Sequence, residues 1–487
     1  MNDNTKSRVP SIACIKEKTL SFLQGLHGSS PDLSTIDQLC AWSFSPEPLV
    51  AKAANSAIFG GIIETLCDDF SAHGVEVGNL VLTRILQFIR ATAEGAELNC
   101  LLNDFGFNDA AALLERYQRI QCPTPLTEKQ KDSVKKILIL SRVTAGADIA
   151  ITNVIIHRLR QRFPEAELVL IGPAHLPEIF AFVPNCRHRN FLYKNDGSLF
   201  DKMTSWPRLL AITQDEEQSH RAGEVLLIDP DTRLTQLGLL PLAAEDCTCY
   251  FPSRSIQPED ISRQNLSCLA NQWLNYLLGE TLTWSPNLAF QRKGEGYHAF
   301  CQGLHHQGCR LVVTINFGVG NDPRKKVHGN FEADLIQALL SIPDTIVILD
   351  TGRSQEGQWI ADHLARIQHQ GWATACLTDT EISTNSIAFG HGLIIFKGSL
   401  GALGKMIDAA DCFIGYDSCG QHLAAATRTP SVIVFAGAPS ARFIKRWSPD
   451  IPGNLTIPMD ALAATPREIS ALIGQITRYV ETIRAKH

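Results

Sequence analysis

Residues 413–439 read FIGYDSCGQHLAAATRTPSVIVFAGAP, two apolar runs separated by a polar turn and an alanine-rich stretch. Cys412 to Gly415 is apolar enough for a strand buried on both faces, and Asp417-Ser418-Cys419-Gly420 then makes a tight turn. His422 to Thr427 reads as a short helix that Pro430 ends, and Ser431 to Phe435 as a second strand. Gly437 opens a further loop where backbone can approach a ligand closely. Strand, turn, helix and strand in this order predict a parallel α/β unit. Loops at the carboxyl ends of such strands lead into helix N-termini, whose unpaired N–H groups and partial positive charge suit a diphosphate. Asp417 then accepts from ligand hydroxyls or an amine, while Ser418 and the Gly420 backbone donate. Capping of the helix by Asp417 or Ser418 accounts for the same residues without a ligand.

The same grammar recurs upstream. Lys136 to Arg142, KILILSR, is a strand with a charged end that runs through Thr144-Ala145-Gly146-Ala147-Asp148 into the helical pattern Ile149 to Phe163. Leu311 to Lys326, LVVTINFGVGNDPRKK, is a buried strand, a glycine-bearing loop and a basic cluster, an order that suits an anion. A solvated charge run is the competing reading of Arg324, Lys325 and Lys326. Thr345 to Asp350 is a further strand, followed by Thr351-Gly352 and an acidic helix start at Glu356, where an acid offsets the helix dipole whether or not it touches a ligand.

Asp417, Ser418, His422, Ala424 and Ala425 stand at the positions of the C-terminal signature of the family 9 glycosyltransferases, the ADP-heptose:lipopolysaccharide heptosyltransferases and their relatives, which this segment resembles. Cys419 occupies the place of that family's glycine. The upstream turn resembles the family's first loop, with Asp148 and the ending Arg162-Phe163-Pro164 in register, Ala147 in a glycine position and Val154 where proline is common. The resemblance covers roughly residues 135 to 487. It implies a GT-B fold, two Rossmann-like units facing a cleft, and Asp148 as the general base that deprotonates an acceptor hydroxyl. A helix N-cap is the other reading of Asp148. It implies also that Lys325 and Lys326 neutralise the leaving diphosphate in place of a metal, that Glu356 contacts the donor nucleoside, and that Asp417 and His422 position the donor. No metal or cofactor is expected. The substrate is a nucleoside-diphosphate sugar, ADP-linked by resemblance.

Composition agrees with an intracellular enzyme. The chain has 487 residues, 45% apolar, enough for two or three domains, and its net charge of −6 argues against nonspecific nucleic-acid binding. The N-terminus lacks a sustained apolar signal region and no uninterrupted apolar stretch approaches a membrane span, so a soluble cytoplasmic protein is expected, with peripheral membrane association still open. The fourteen cysteines are dispersed without a C-x-x-C pair; Cys247 and Cys249 would share one strand face, and free thiols are the better account.

Three parts are predicted: a helical domain over 1–125, an α/β acceptor domain over 133–290 and an α/β nucleotide-sugar domain over 291–487. Leu82, Ile85, Leu86 and Ile89 keep helical spacing in the first, and 121–132 (QCPTPLTEKQKD) is the expected linker. Strands 167–171 and 224–229, helices 176–182 and 262–278, and a final amphipathic helix over 466–485 complete the outline. Arg187, Arg189, His188 and Lys194 form a basic group that either meets an anionic acceptor or is solvated surface. The turn 229–233 (DPDTR) either shapes the same cleft or is simply turn chemistry. The acceptor is a glycan, glycolipid or protein, and the helical region could carry protein contacts. A nucleotide-sugar epimerase and a noncatalytic nucleotide-sugar-binding protein are the alternative functions.

Overall fold

The computed structural model of the protein describes residues 10–26, 31–194, 196–256, 265–288, 296–320, 322–351, 368–382, 387–449, 451–460 and 463–485. Continuous apolar runs make the central strands. In chain order the strands are β1 (Lys136–Leu140), β2 (Glu167–Gly172), β3 (Cys186–Asn190), β4 (Val225–Asp229), β5 (Thr248–Tyr250), β6 (Leu311–Asn316), β7 (Thr345–Asp350), β8 (Thr374–Thr378), β9 (Gly392–Lys397), β10 (Cys412–Tyr416), β11 (Ser431–Ala436) and β12 (Asn454–Met459). They form two sheets, parallel throughout, in the orders β3-β2-β1-β4-β5 and β12-β11-β10-β6-β7-β9-β8. Parallel pairing requires helical crossovers, so both faces of each sheet are covered and every central strand is apolar on both sides. Strand order reverses beside β1 in the first sheet and beside β6 in the second, and at such points the outgoing loops diverge and leave room for a ligand.

Side-chain alternation on β1 sends its residues to two different cores. Ile137 and Ile139 pack with the helices Asn153–Arg162 and Leu266–Leu278. Leu138 and Leu140, with Val169, Ile171, Val225 and Leu227, instead join Leu39, Ile62, Val81, Leu82, Ile85 and Ile89 of the N-terminal helices. The helical region is therefore the covering layer of one face of the first sheet. The expected linker is docked as well: the Leu126 N–H donates to the Leu277 carbonyl at 2.9 Å, and residues 128–133 form a short helix whose Lys131 ammonium reaches the Leu278 carbonyl at 2.7 Å.

The two α/β units also share a core. Leu403, Ile407, Phe413, Leu423, Ala424, Ile433, Phe435 and Phe443 of the second unit cluster with Ile149, Ile151, Leu176, Ile179 and Leu269 of the first. On its other face the second sheet packs against the helices Phe331–Leu340 and Pro466–Arg484, the latter through Leu472, Ile476, Val480 and Ile483.

Several boundaries differ from the sequence reading for local reasons. The signature helix begins at Cys419 rather than His422, because Ser418 already supplies the extended N-cap conformation. The helix 266–278 starts where the Asn265 side chain accepts from the Cys268 N–H at 2.8 Å. Cys247 ends a tight turn and only Cys249 lies on β5, so the two do not share a strand face. No disulfide joins the fourteen cysteines. Among the described residues one helical stretch, Pro48–Asp68, reaches the length and hydropathy of a membrane span. It lies within the N-terminal helical layer and buries Val50, Ala54, Ile58, Ile62 and Ile63 there.

Candidate functional site

β10 ends at Tyr416 and the chain turns through Asp417 and Ser418 into the helix Cys419–Thr427. Asp417 does not cap that helix. One of its carboxylate oxygens accepts from Gln421 Nε2 at 2.6 Å and the other from the Lys325 ammonium at 2.7 Å. Ser418 occupies the N-cap position, yet its side chain makes no capping bond, and its buried Oγ has no hydrogen-bond partner among the described residues. A buried hydroxyl left unpaired costs stability unless something else uses it. Cys419 adopts ordinary helical backbone, so nothing in the turn requires a left-handed residue there. Burial, with Asp350 adding to it, pushes its thiol up to about 11. Gly420 has a packing reason: a Cβ there would come within 2.5 Å of the Phe413 ring.

Lys325 is aimed by two contacts. Residues 323–325 form a tight turn whose N-cap, Asp322, accepts from the Arg324 N–H, and Gly437, at φ +62, packs so closely that a Cβ would lie 2.3 Å from the Arg324 carbonyl oxygen. Gly437 thus admits the lysine loop to the β10 turn, a close approach between two loops of the protein itself.

His422 faces inward. It stands edge-on to Trp447, with ring centroids 5.7 Å apart, and burial pushes its imidazole down to about 4 despite the neighbouring Asp417. Its other neighbour belongs to the first unit: a Cβ on Gly146 would sit 2.9 Å from His422 Cδ2. The two polar turns recognised in the sequence, far apart in the chain, therefore touch.

Asp148 begins a π-helical turn, Asp148–Thr152, and is fully enclosed. Ser141 Oγ donates to one oxygen at 2.6 Å; the Arg142 N–H and Thr152 Oγ1 donate to the other at 2.7 and 2.8 Å. It is therefore no N-cap, and it clasps the end of β1 to the following helix. His175 Nε2 lies 3.7 Å from it, on a ring one-fifth exposed.

Residues 384–458, which include this turn and helix, match the family model for glycosyltransferase family 9 (heptosyltransferase). That segment is similar to the family 9 glycosyltransferases. No curated protein sequence matches the chain. A family 9 glycosyl transferase of known structure from Veillonella parvula is similar at 13% identity and TM-score 0.50, over 72% of this chain and 98% of that one. The ADP-heptose LPS heptosyltransferase II of E. coli is similar at 14% identity and TM-score 0.45, over 71% and 99%. The fold is GT-B, with the N-terminal helices added to it.

Within that frame several expected site residues lie elsewhere. Lys326 is in extended backbone, so its side chain departs from that of Lys325 and pairs with Glu332 at 3.3 Å. Arg187 and Arg189 are on the edge strand β3 and are saturated by carboxylates: Arg187 by Glu167 at 2.6 Å and by Glu216, Arg189 by Glu216 and Asp215 at 2.8 and 2.9 Å. Their charges hold β3 to the helix Trp206–Glu217. Glu356 lies outside the described residues. Among the described residues no three His, Cys, Asp or Glu side chains cluster as metal ligands would.

Other polar groups at the site went unnoticed in the sequence. Asn316 and Asp350 end the neighbouring strands β6 and β7 and bond to each other at 2.6 Å. A polar residue closing a buried apolar run was the available signal, since α/β sites gather at strand ends. Gln421 and His175 carried no comparable mark.

Proposed function

We propose that the protein transfers a sugar, heptose by its family likeness, from a nucleoside diphosphate, ADP favoured, to a hydroxyl of a glycan, glycolipid or protein acceptor, with inversion and without a metal. Similarity of the segment to family 9 marks the chain as a glycosyltransferase. The observation that carries the finer reading is the unpartnered Ser418 hydroxyl at a helix N-terminus, beside the Lys325–Asp417 pair and across from the Gly146–Asp148 turn.

The Lys325 ammonium, the Ser418 hydroxyl and the first-turn N–H groups would take the charge of the departing diphosphate. Asp417, released from Lys325 by the incoming phosphates, would be free to accept from the donor. His422, neutral and packed on Trp447, orients the turn and does not exchange protons near pH 7. The acceptor proton would pass to Asp148. Since that carboxylate is enclosed, His175, with Nε2 3.7 Å from it on a ring one-fifth exposed, is the group placed to hand the proton on. Such a reaction belongs on the cytoplasmic side of a membrane, where nucleotide sugars are made.

A thermal-shift screen against ADP-, UDP-, GDP- and CMP-sugars, repeated with Asp417→Ala, tests the donor assignment. A midpoint rise for one nucleotide class that the substitution abolishes supports it. A chain that binds a donor yet turns over no acceptor would be a binding protein on a GT-B body. No rise with any donor would sink the reading.

A further inference from the structure

The helical layer reaches the cleft at one corner, Glu64–Phe70, and touches both α/β units there. On the first unit, Arg254 Nη1 lies 3.6 Å from Cys67 Sγ and Arg233 Nη2 lies 3.9 Å from Glu64 Oε1. On the second unit, the Arg442 guanidinium donates to the Asp69 and Phe70 carbonyls at 3.2 and 3.3 Å, and the Phe70 ring stands 6.4 Å from that of Phe443. Phe443 is also the ring under the Lys325 ammonium, 5.5 Å away. Asp68 is left between the units, its charge felt by Lys325, Arg233, Glu64 and Asp417, and by Arg324.

Arg233 stands out among the arginines at the carboxyl end of the first sheet. Arg254 is fastened to Asp231 by contacts of 2.9 to 3.1 Å, and Arg142 donates to the Pro230 carbonyl and Ser253 Oγ at 2.5 and 2.9 Å. In the same turn Asp229 and Asp231 are buried and spent on internal bonds to Thr235, Thr232, Tyr250 and Ser253. Arg233 alone in this group has a guanidinium that donates no hydrogen bond among the described residues. Its side chain is 24% exposed and its ion-pair partner is the loose contact with Glu64. The five donors of its planar fork are thus unspent on hydrogen bonds among the described residues, and Asp68 feels its charge together with that of Lys325.

We propose that Arg233 of the first unit and Lys325 of the second are the two jaws of a clamp for a diphosphate, and that Glu64 holds the first jaw and Asp417 the second while the clamp is empty, with the Asp68 charge of the helical layer drawing on both. The inference rests on the nucleotide-sugar reading of the site and deepens it: the leaving group is gripped from both units, and the helical layer supplies competing carboxylates. Burial pushes the Asp68 carboxyl up to about 6, with Glu64 and Asp417 adding to the effect and Lys325 and Arg233 opposing it. A carboxylate so poised sheds its charge when a second anion arrives, which lowers the cost of displacing it.

Inorganic pyrophosphate, titrated calorimetrically into the full-length protein, is the probe. The clamp predicts that Arg233→Gln and Lys325→Gln each weaken binding at least tenfold, that Arg233→Lys restores part of the loss, and that Glu64→Gln strengthens binding severalfold. Opposite signs at Arg233 and Glu64 are the discriminating result, because a merely structural role for their contact would make both substitutions act alike. Arg233→Gln binding as the wild type does, both substitutions acting in one direction, or a wild type that ignores pyrophosphate would each overturn the clamp. Pyrophosphate carries neither base nor sugar. The expected pattern without any preference for a nucleotide would keep the clamp and remove the donor reading, whereas ADP binding indifferent to Arg233 would do the reverse.

Discussion

Replacing His422 by glutamine should alter how the protein responds to acid. The imidazole is enclosed and sits between Gly146 and Trp447, and burial lowers its pKa from 6.5 to about 4, with Asp417 resisting and Lys325 assisting the shift. A folded-state value below the unfolded one means that the unfolded chain takes up the proton first. The stabilisation from keeping this ring neutral is therefore complete above pH 6.5 and is lost as pH falls through 6.5 toward 4. With those two values, linkage gives a loss of about 2 kcal/mol between pH 7 and pH 5, growing to about 3 kcal/mol at pH 4. Urea unfolding of wild type and His422→Gln at half-unit steps from pH 7.5 to 4.5 isolates the difference, since the carboxylates common to both chains cancel. The wild-type midpoint should fall more steeply, and the two curves should converge on acidification. Curves that stay parallel over the whole range would show that His422 titrates normally and that the turn around it is open to water.

Ser418→Ala should leave unfolding stability unchanged or raise it by up to about 1 kcal/mol, because it removes a buried hydroxyl with no hydrogen-bond partner among the described residues, while weakening ADP binding at least tenfold; thermal melts with and without ADP measure both. A Gly437→Ala chain must place a Cβ against the Arg324 carbonyl at φ +62, which should cost about 1–3 kcal/mol and loosen ADP by displacing Lys325. Its ADP affinity matching that of wild type would refute the coupling of these two loops. Asp148→Asn should abolish transfer while donor affinity measured by calorimetry stays within a few-fold; loss of donor binding instead would remove the base assignment.

How far the sequence could be read depended on where the information lay. β1, β6, β7, β10 and β11 are continuous apolar runs, and a strand buried on both faces needs little else. β3, CRHRN, defeats that reading because an edge strand paired on one side can be polar; its arginines resemble surface charge until Glu216 is seen to hold them. Lys325 and Lys326 differ by one position, and whether the chain is in its tight turn or already extended decides which of them reaches Asp417. Asp148 is singled out in the sequence by the resemblance of its loop to the family's first loop, but its enclosure depends on three donors that no local pattern announces. The convergence of Glu64, Asp68, Arg233 and Lys325 joins three distant segments, and only tertiary packing brings them together.

The shared core of the N-terminal helices and the first sheet bears on how the chain is made. During synthesis the helices leave the ribosome first, with Ile62, Val81, Leu82 and Ile85 waiting for Leu138, Val169 and finally Leu227. At ordinary translation rates that interval is roughly 7 to 30 s, long beside the microseconds in which helices form. An apolar stripe is exposed throughout it. The nascent helical segment is accordingly the part of this protein that most needs a chaperone, and slowing of translation before β4 would show itself as aggregation of the whole chain.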